Sequence, residues 1–177
     1  ESPTNPLLKV LDIKLICDEA NKYKIPVVLD NTFSTALIQK PLELGATLSL
    51  ISTTKFINGH SDALGGAVLT NNEEWNSKML FSQKALGLQP SPFDTWLITR
   101  GVKTLPLRIE QQTKSAEIIS KEIENHRIIS KVFYPFNQKH PQFNLAKSQM
   151  KSGGSMITLK LNLNKSDTFK FCKSLRY

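Results

Sequence analysis

Three short apolar runs, IPVVLD (25–30), TLSLI (47–51) and ALGGAVLT (63–70), alternate with helical stretches in the first 70 residues. This rhythm restricts the possible folds more than any other feature. A short β-branched run bounded by turn residues reads as a strand. IPVVLD is apolar on both alternations, so it is expected to be buried on both faces. Residues 11–24 carry Leu11, Leu15, Ile16, Ala20 and Tyr23 on a helical stripe, and 37–44 reads as a short helix before Gly45. Strands separated by helices predict an α/β unit with a mostly parallel sheet and flanking helices.

From residue 73 the pattern turns helical. Helices are predicted at 73–86, at 91–101 with Ser91 as cap, and at 104–125 with Leu105, Ile109, Ala116, Ile119 and Ile123 facing inward. An apolar run at 128–133, a turn at Pro135, a short helix after Pro141, a strand at 156–161 and a helix from about 166 follow. The predicted organisation is the C-terminal part of a large α/β domain over 1–124 and the beginning of a smaller, truncated α+β domain over 125–177.

Charge and cysteines exclude several function classes. The net charge is +8, yet nowhere do five Lys and Arg cluster, and no zinc-finger or aromatic-basic RNA-binding motif appears. Scattered cations read as solvated surface, so a nucleic-acid partner is not expected. Cys17 and Cys172 form no CxxC pair, and His60, His126 and His140 share no ligand spacing, so no disulfide scaffold and no metal is expected. Two free thiols fit a reducing cytoplasm. No apolar run approaches the ~18 residues of a membrane span. ESPTNP has neither Met nor a signal-peptide pattern, and FKFCKSLRY stops inside a helical pattern, so both ends look cut.

Ligands of parallel sheets gather beyond the carboxyl ends of strands. Asp30 closes one predicted strand there, and Ser52-Thr53-Thr54-Lys55 follows the next. A lone strand-end Asp is usually a turn residue, and a lone Lys is usually solvated. Together they meet the requirements of pyridoxal phosphate. An amine forms a Schiff base with its aldehyde, a carboxylate keeps the ring nitrogen protonated, and hydroxyls hold the phosphate. In an extended segment Ser52 and Thr54 would face one side and Lys55 the other.

The run LISTTKFINGHSDALGGAV resembles the cofactor-lysine segment of the Cys/Met-metabolism pyridoxal-phosphate enzymes, the cystathionine gamma-synthase and gamma-lyase group. The resemblance extends through ESPTNPLLKVLDI, VVLDNTF, QKPLELGA, PSPFDTWLITRGVKTLPLR and HPQFNLAKSQM. It implies the aspartate-aminotransferase-like, fold type I large domain. It makes Lys55 the Schiff-base lysine and proton carrier, Asp30 the pyridinium partner, and Ser52 and Thr54 phosphate ligands. Asn5 matches an asparagine near the ring hydroxyl, with a plain Asn-Pro turn as the competing reading. His60 and Asp62 read as loop-ordering, and Arg100, Lys103 and Arg108 as members of salt bridges within or between subunits rather than anion sites. Phe56, Phe136 and the SGGSM turn depart from the family pattern, and none is expected to touch the cofactor.

Members run to about twice this length. The resemblance implies further segments supplying a neighbour's phosphate ligands and the substrate-carboxylate Arg, so the chain alone is expected to be inactive. The whole protein is expected to be a homotetramer acting on small amino acids at the gamma carbon of homoserine-type substrates. Cystathionine gamma-synthase is the preferred activity, with gamma-lyase, sulfhydrylase and methionine gamma-lyase as alternatives. A truncated, non-catalytic module is the alternative of another class.

Overall fold

The computed structural model describes residues 1–176. Helix α1 (Ile13–Lys22) starts where the Asp12 carboxylate accepts the Leu15 amide at 2.9 Å, satisfying an otherwise unpaired first-turn N–H. The inward face is not the expected stripe. Ile13 and Cys17, one turn apart, pack on Leu29 and Ala46, whereas Leu15 is 64% exposed. Both helix faces carry apolar residues, so periodicity alone could not choose between them. Gly45 helps decide: at φ +101° it has no side chain, and a Cβ there would lie 3.1 Å from Cys17 Cβ.

Strand β1 (Val28–Asp30) runs parallel to β2 (Leu48–Ser52), with Asp30 opposite Leu50. The connection passes through α2 (Thr35–Ile38). β3 (Gly66–Leu69) pairs antiparallel with β2. The sheet is therefore mixed, its parallel part being β1 and β2. The segment between β2 and β3 makes one helical turn and doubles back, without the long crossover a parallel return needs. Leu29 is buried but Val28 is 54% exposed, which corrects the two-faced burial expected of β1. Among the described residues, α1 covers one face and nothing covers Val28.

Asn72 caps α3 (Glu73–Leu86), which buries none of its residues. Ser91 caps α4 (Pro92–Val102) as predicted, accepting the Asp94 amide. In α5 (Leu105–Glu122) Leu105, Ile109 and Ala116 turn inward, but Ile119 is exposed. β4 (Ile129–Phe133) and β5 (Thr158–Leu161) form a second, antiparallel sheet, with α6 (Phe143–Gln149) between them in sequence. α7 (Lys165–Ser174) ends at Leu175, whose backbone is extended at φ −67°, ψ 139°. The helical pattern thus stops before the described residues do, contrary to the reading of FKFCKSLRY.

One core joins Val10, Ile38, Leu105 and Ile109 to Ala146 and Met150. Each large aliphatic side chain buried there contributes about 1.5–3 kcal/mol. Contacts thus cross residue 125: α6 packs on the first unit. The Lys151 amide also donates to Ile38 O at 2.9 Å.

Candidate active site

The ends of β1 and β2 are tied by a short relay. Asp30 Oδ1 accepts the Thr32 amide, and the Thr32 hydroxyl accepts the Ser52 amide, each at 2.9 Å. Beyond Ser52 the chain is not extended. Thr53–Ile57 forms a wide helical turn, closed by Asn58 N–H to Thr53 O at 2.9 Å and Gly59 N–H to Lys55 O at 2.8 Å. At Lys55 the backbone leaves the helical range, with φ −89° and ψ −116°. Thr54 and Lys55 consequently line the same cleft, correcting the opposite-sides expectation. The Thr54 hydroxyl is paired with the Gly65 backbone, accepting its N–H at 2.9 Å and facing its carbonyl at 3.3 Å.

The cleft measures about 960 Å³, and its walls include Asn5, Phe33, Thr54, Lys55, Phe56 and Arg108. That is the upper end of the range for small-molecule sites. Asp30 and Ser52 are not on the lining; both are half-buried at the ends of β1 and β2. Lys55 is exposed, and among the described residues no ion pair or hydrogen bond engages its amine. Phe33 went unremarked in the sequence, although it directly follows Asp30-Asn31-Thr32. Two departures from the family pattern, Phe56 and Met156 of SGGSM, also border the cleft.

Among the described residues of this chain Arg108 forms no salt bridge. Its guanidinium donates to Phe56 O at 2.8 Å, Ile57 O at 3.2 Å and Gly101 O at 2.9 Å, and Nε donates to Thr104 Oγ1 at 3.1 Å. Burial lowers its basicity, yet an arginine stays protonated. The fit depends on glycines. A Cβ at Gly59 (φ +75°) would sit 2.0 Å from Arg108 Nη1, and one at Gly101 would sit 2.2 Å from Asn58 O. His60 and Asp62 order this loop as expected: Asp62 accepts Asn58 Nδ2 at 2.8 Å, and His60 Nδ1 lies 2.7 Å from Asn58 O. Arg100 instead lies over the Trp96 ring at 6.0 Å.

A buried amide network supports the Asp30 side. Gln39 Nε2 donates to Ser2 O at 2.8 Å and Asn31 Oδ1 at 3.0 Å, and its Oε1 accepts Gln149 Nε2 at 3.1 Å. Asn31 Nδ2 donates to Gln39 O at 2.9 Å. Nearby, buried His140 donates from Nε2 to Leu8 O at 3.1 Å while Nδ1 accepts the Gln142 amide at 3.1 Å. Burial, with Lys131 adding, lowers its pKa against the opposing Leu8 bond. This pins the neutral imidazole under the turn that carries Asn5.

Comparison with known proteins decides the family. The model of the "Cys/Met metabolism PLP-dependent enzyme" family matches residues 1–177. The chain belongs to that family. It is 46% identical over 161 residues to a probable cystathionine gamma-synthase of Herpetosiphon aurantiacus, covering 91% of this chain and 50% of that protein. It is 44% identical over 171 residues to the cystathionine gamma-lyase of Dictyostelium discoideum, covering 96% and 44%. The crystal structure of cystathionine gamma synthase from Xanthomonas oryzae pv. oryzae, in complex with aminoacrylate and cysteine, superposes with TM-score 0.96. It shares 39% identity over 99% of this chain and 46% of that one. The chain thus spans about half the length of the curated relatives it matches.

The donor set fits the cofactor of the Cys/Met metabolism family. The cleft offers an uncommitted primary amine at Lys55, an aromatic face at Phe33 and an amide at Asn5. Asp30 keeps one carboxylate oxygen beyond its bond to Thr32. The Thr54 hydroxyl is already paired with Gly65 and would have to share or exchange that bond to reach a phosphate. Among the described residues no helix is long and apolar enough to cross a membrane.

Proposed function

We propose that the protein containing this chain is a trans-sulfuration enzyme acting at the gamma carbon of homoserine-type amino acids, with cystathionine gamma-synthase the preferred activity. The observation that carries this is the free Lys55 amine on the cleft, one strand over from Asp30, in a chain 46% identical to a probable synthase.

Lys55 would hold pyridoxal phosphate covalently, with Asp30 against the ring nitrogen, Ser52 and Thr54 toward the phosphate and Asn5 near the ring hydroxyl. Bound cofactor supplies an electron sink for the carbanion left when the substrate alpha proton departs. Lys55 Nζ, when not bonded to the cofactor, would carry protons between the substrate's alpha and neighbouring carbons. The half-buried Asp30 carboxylate favours a cationic partner through a charge-assisted hydrogen bond. Phe33 and Phe56 restrict water on the cleft wall.

Borohydride reduction of the whole protein, followed by peptide mapping, tests the assignment. The label is expected on Lys55, and Lys55→Ala is expected to lose it along with roughly 10²–10⁴-fold of turnover. A label on another lysine overturns the site. The Dictyostelium relative favours gamma-lyase as second reading. Cystathionine formed from cysteine and an acylated homoserine supports the synthase, whereas cysteine released from cystathionine supports the lyase.

The same reading includes a small-domain boundary near residue 125, a cytoplasmic setting and a homotetramer. Closed symmetry lets neighbouring subunits complete each other's sites. Light scattering on the whole protein tests the assembly, and an active monomer would refute it.

A further inference from the structure

We infer that Arg108 is a positioning residue for Lys55, holding the lysine's turn so that the amine faces the cleft. This rests on Lys55 being the cofactor lysine. Arg108 grips the two carbonyls that directly follow it, Phe56 O and Ile57 O. In a continuing helix these carbonyls would accept amides further along the chain. Here the backbone turns away at Gly59, at φ +75°, and the guanidinium takes the place of those amides. The other bonds of the same side chain go to Gly101 O and Thr104 Oγ1, at the junction of α4 and α5. The direction of the Lys55 backbone is thus referred to two helices that lie about fifty residues away in sequence, the bonds spanning 52 and 51 positions.

The bonding is of a kind only arginine supplies. All its acceptors are uncharged oxygens, and four of the five N–H donors of a guanidinium are engaged. Little donor capacity is left for a ligand anion, although Arg108 borders the cleft. An ammonium is a point charge and cannot span carbonyls of residues 56, 57 and 101 at once. The empty space at Gly59, where a Cβ would fall 2.0 Å from Nη1, is the other half of the device.

The test uses the whole protein with three variants: Arg108→Lys, Arg108→Gln and Gly59→Ala. Amide hydrogen exchange is followed without cofactor. The visible absorbance of the covalent cofactor link is titrated with pH after loading. Arg108→Lys keeps charge and aliphatic stem, so it carries the test if the other variants do not fold. Exchange at Asn58 and Gly59, which close the turn, is expected to rise about tenfold or more, with the β4–β5 amides unchanged. The midpoint of the absorbance titration is expected to move by about half a pH unit or more, because the link's surroundings change. A general rise in exchange with an unmoved midpoint would make Arg108 merely structural and overturn the inference. Mapping the borohydride label in the parent separates the two levels. A label away from Lys55 overturns the site reading and this inference with it. A label on Lys55 with variants indistinguishable from the parent overturns only the role of Arg108.

Discussion

The two walls of the cleft are held in different ways. Behind Lys55, a single charged side chain, Arg108, reaches backbone carbonyls through the gap left by Gly59, while Gly101 leaves room for the Asn58 backbone. Behind Asp30, neutral amides share the load: Asn31, Gln39 and Gln149 bond to one another and to Ser2 O. A charged clamp is directional and strong but fails when one group is lost. A neutral network loses one link at a time, provided each remaining buried polar atom finds a partner. The lysine wall is therefore the sharper of the two and the more fragile.

Asp30→Asn asks most of the amide-held wall. The substitution keeps shape and a neutral hydrogen bond but removes the charge that favours a protonated ring. Turnover is expected to fall about a hundredfold, equivalent to ~3 kcal/mol of barrier, while a cofactor titration shifts much less. Turnover within about threefold of the parent would reduce Asp30 to a strand-end turn residue.

Gln39→Leu probes the same wall for stability alone. Ser2 O and Asn31 Oδ1 would lose their partner in a buried site, while half-buried Gln149 Nε2 keeps its bond to Leu11 O, so unfolding free energy should drop by about 2–3 kcal/mol. Urea denaturation measures this, and a loss under ~1 kcal/mol would mean that water replaces the amide. Gly101→Ala addresses the opposite wall. A methyl there meets Asn58 backbone at 2.2 Å, so despite better helix propensity the variant should lose about 2 kcal/mol. A neutral or stabilising result would show that the α4 end shifts freely against the lysine turn.

The smallest effect concerns pH. The folded pKa of His140 lies below its unfolded value. Its contribution is complete above about pH 6.5 and is lost on acidification, because the unfolded chain takes a proton that the folded imidazole refuses. The slope reaches at most ~1.4 kcal/mol per pH unit. Thermal melts at pH 7.5 and 5.5 should show a smaller acid loss in His140→Gln than in the parent. Equal losses would remove His140 from the cause.

Much of this was legible in the sequence for identifiable reasons. Ser91 caps its helix through a local bond three residues long, so spacing alone revealed it, whereas Asp12 and Asn72 cap through bonds of the same length and were not read from the sequence. β1 and β2 announced themselves as apolar runs, and the lysine after β2 carried its hydroxyl neighbours with it. The direction of β3 was not legible, since a strand's pattern is the same read either way. The turn at Lys55 was hidden because Thr53–Ile57 has no helical periodicity long enough to detect. The bonds of Arg108 were hidden for a simpler reason: its partners are carbonyls, which every residue owns, so no sequence pattern marks them.

The turn that carries Asn5 is fastened from far along the chain. His140 reaches Leu8 O, Gln149 reaches Leu11 O and Thr158 reaches Pro6 O, across 132, 138 and 152 positions. Such closures come late, because a long loop must lose its freedom before any of these bonds is made. During synthesis at roughly 5–20 residues per second, the first ten residues wait on the order of ten seconds for their fasteners to be made. Through that interval the Lys55 turn and its Arg108 clamp, separated by little more than a third of that distance, are already available to each other. The nascent chain would therefore present an ordered lysine in a half-built cleft, and the ribosome, rather than the folded structure, sets how long it stays open.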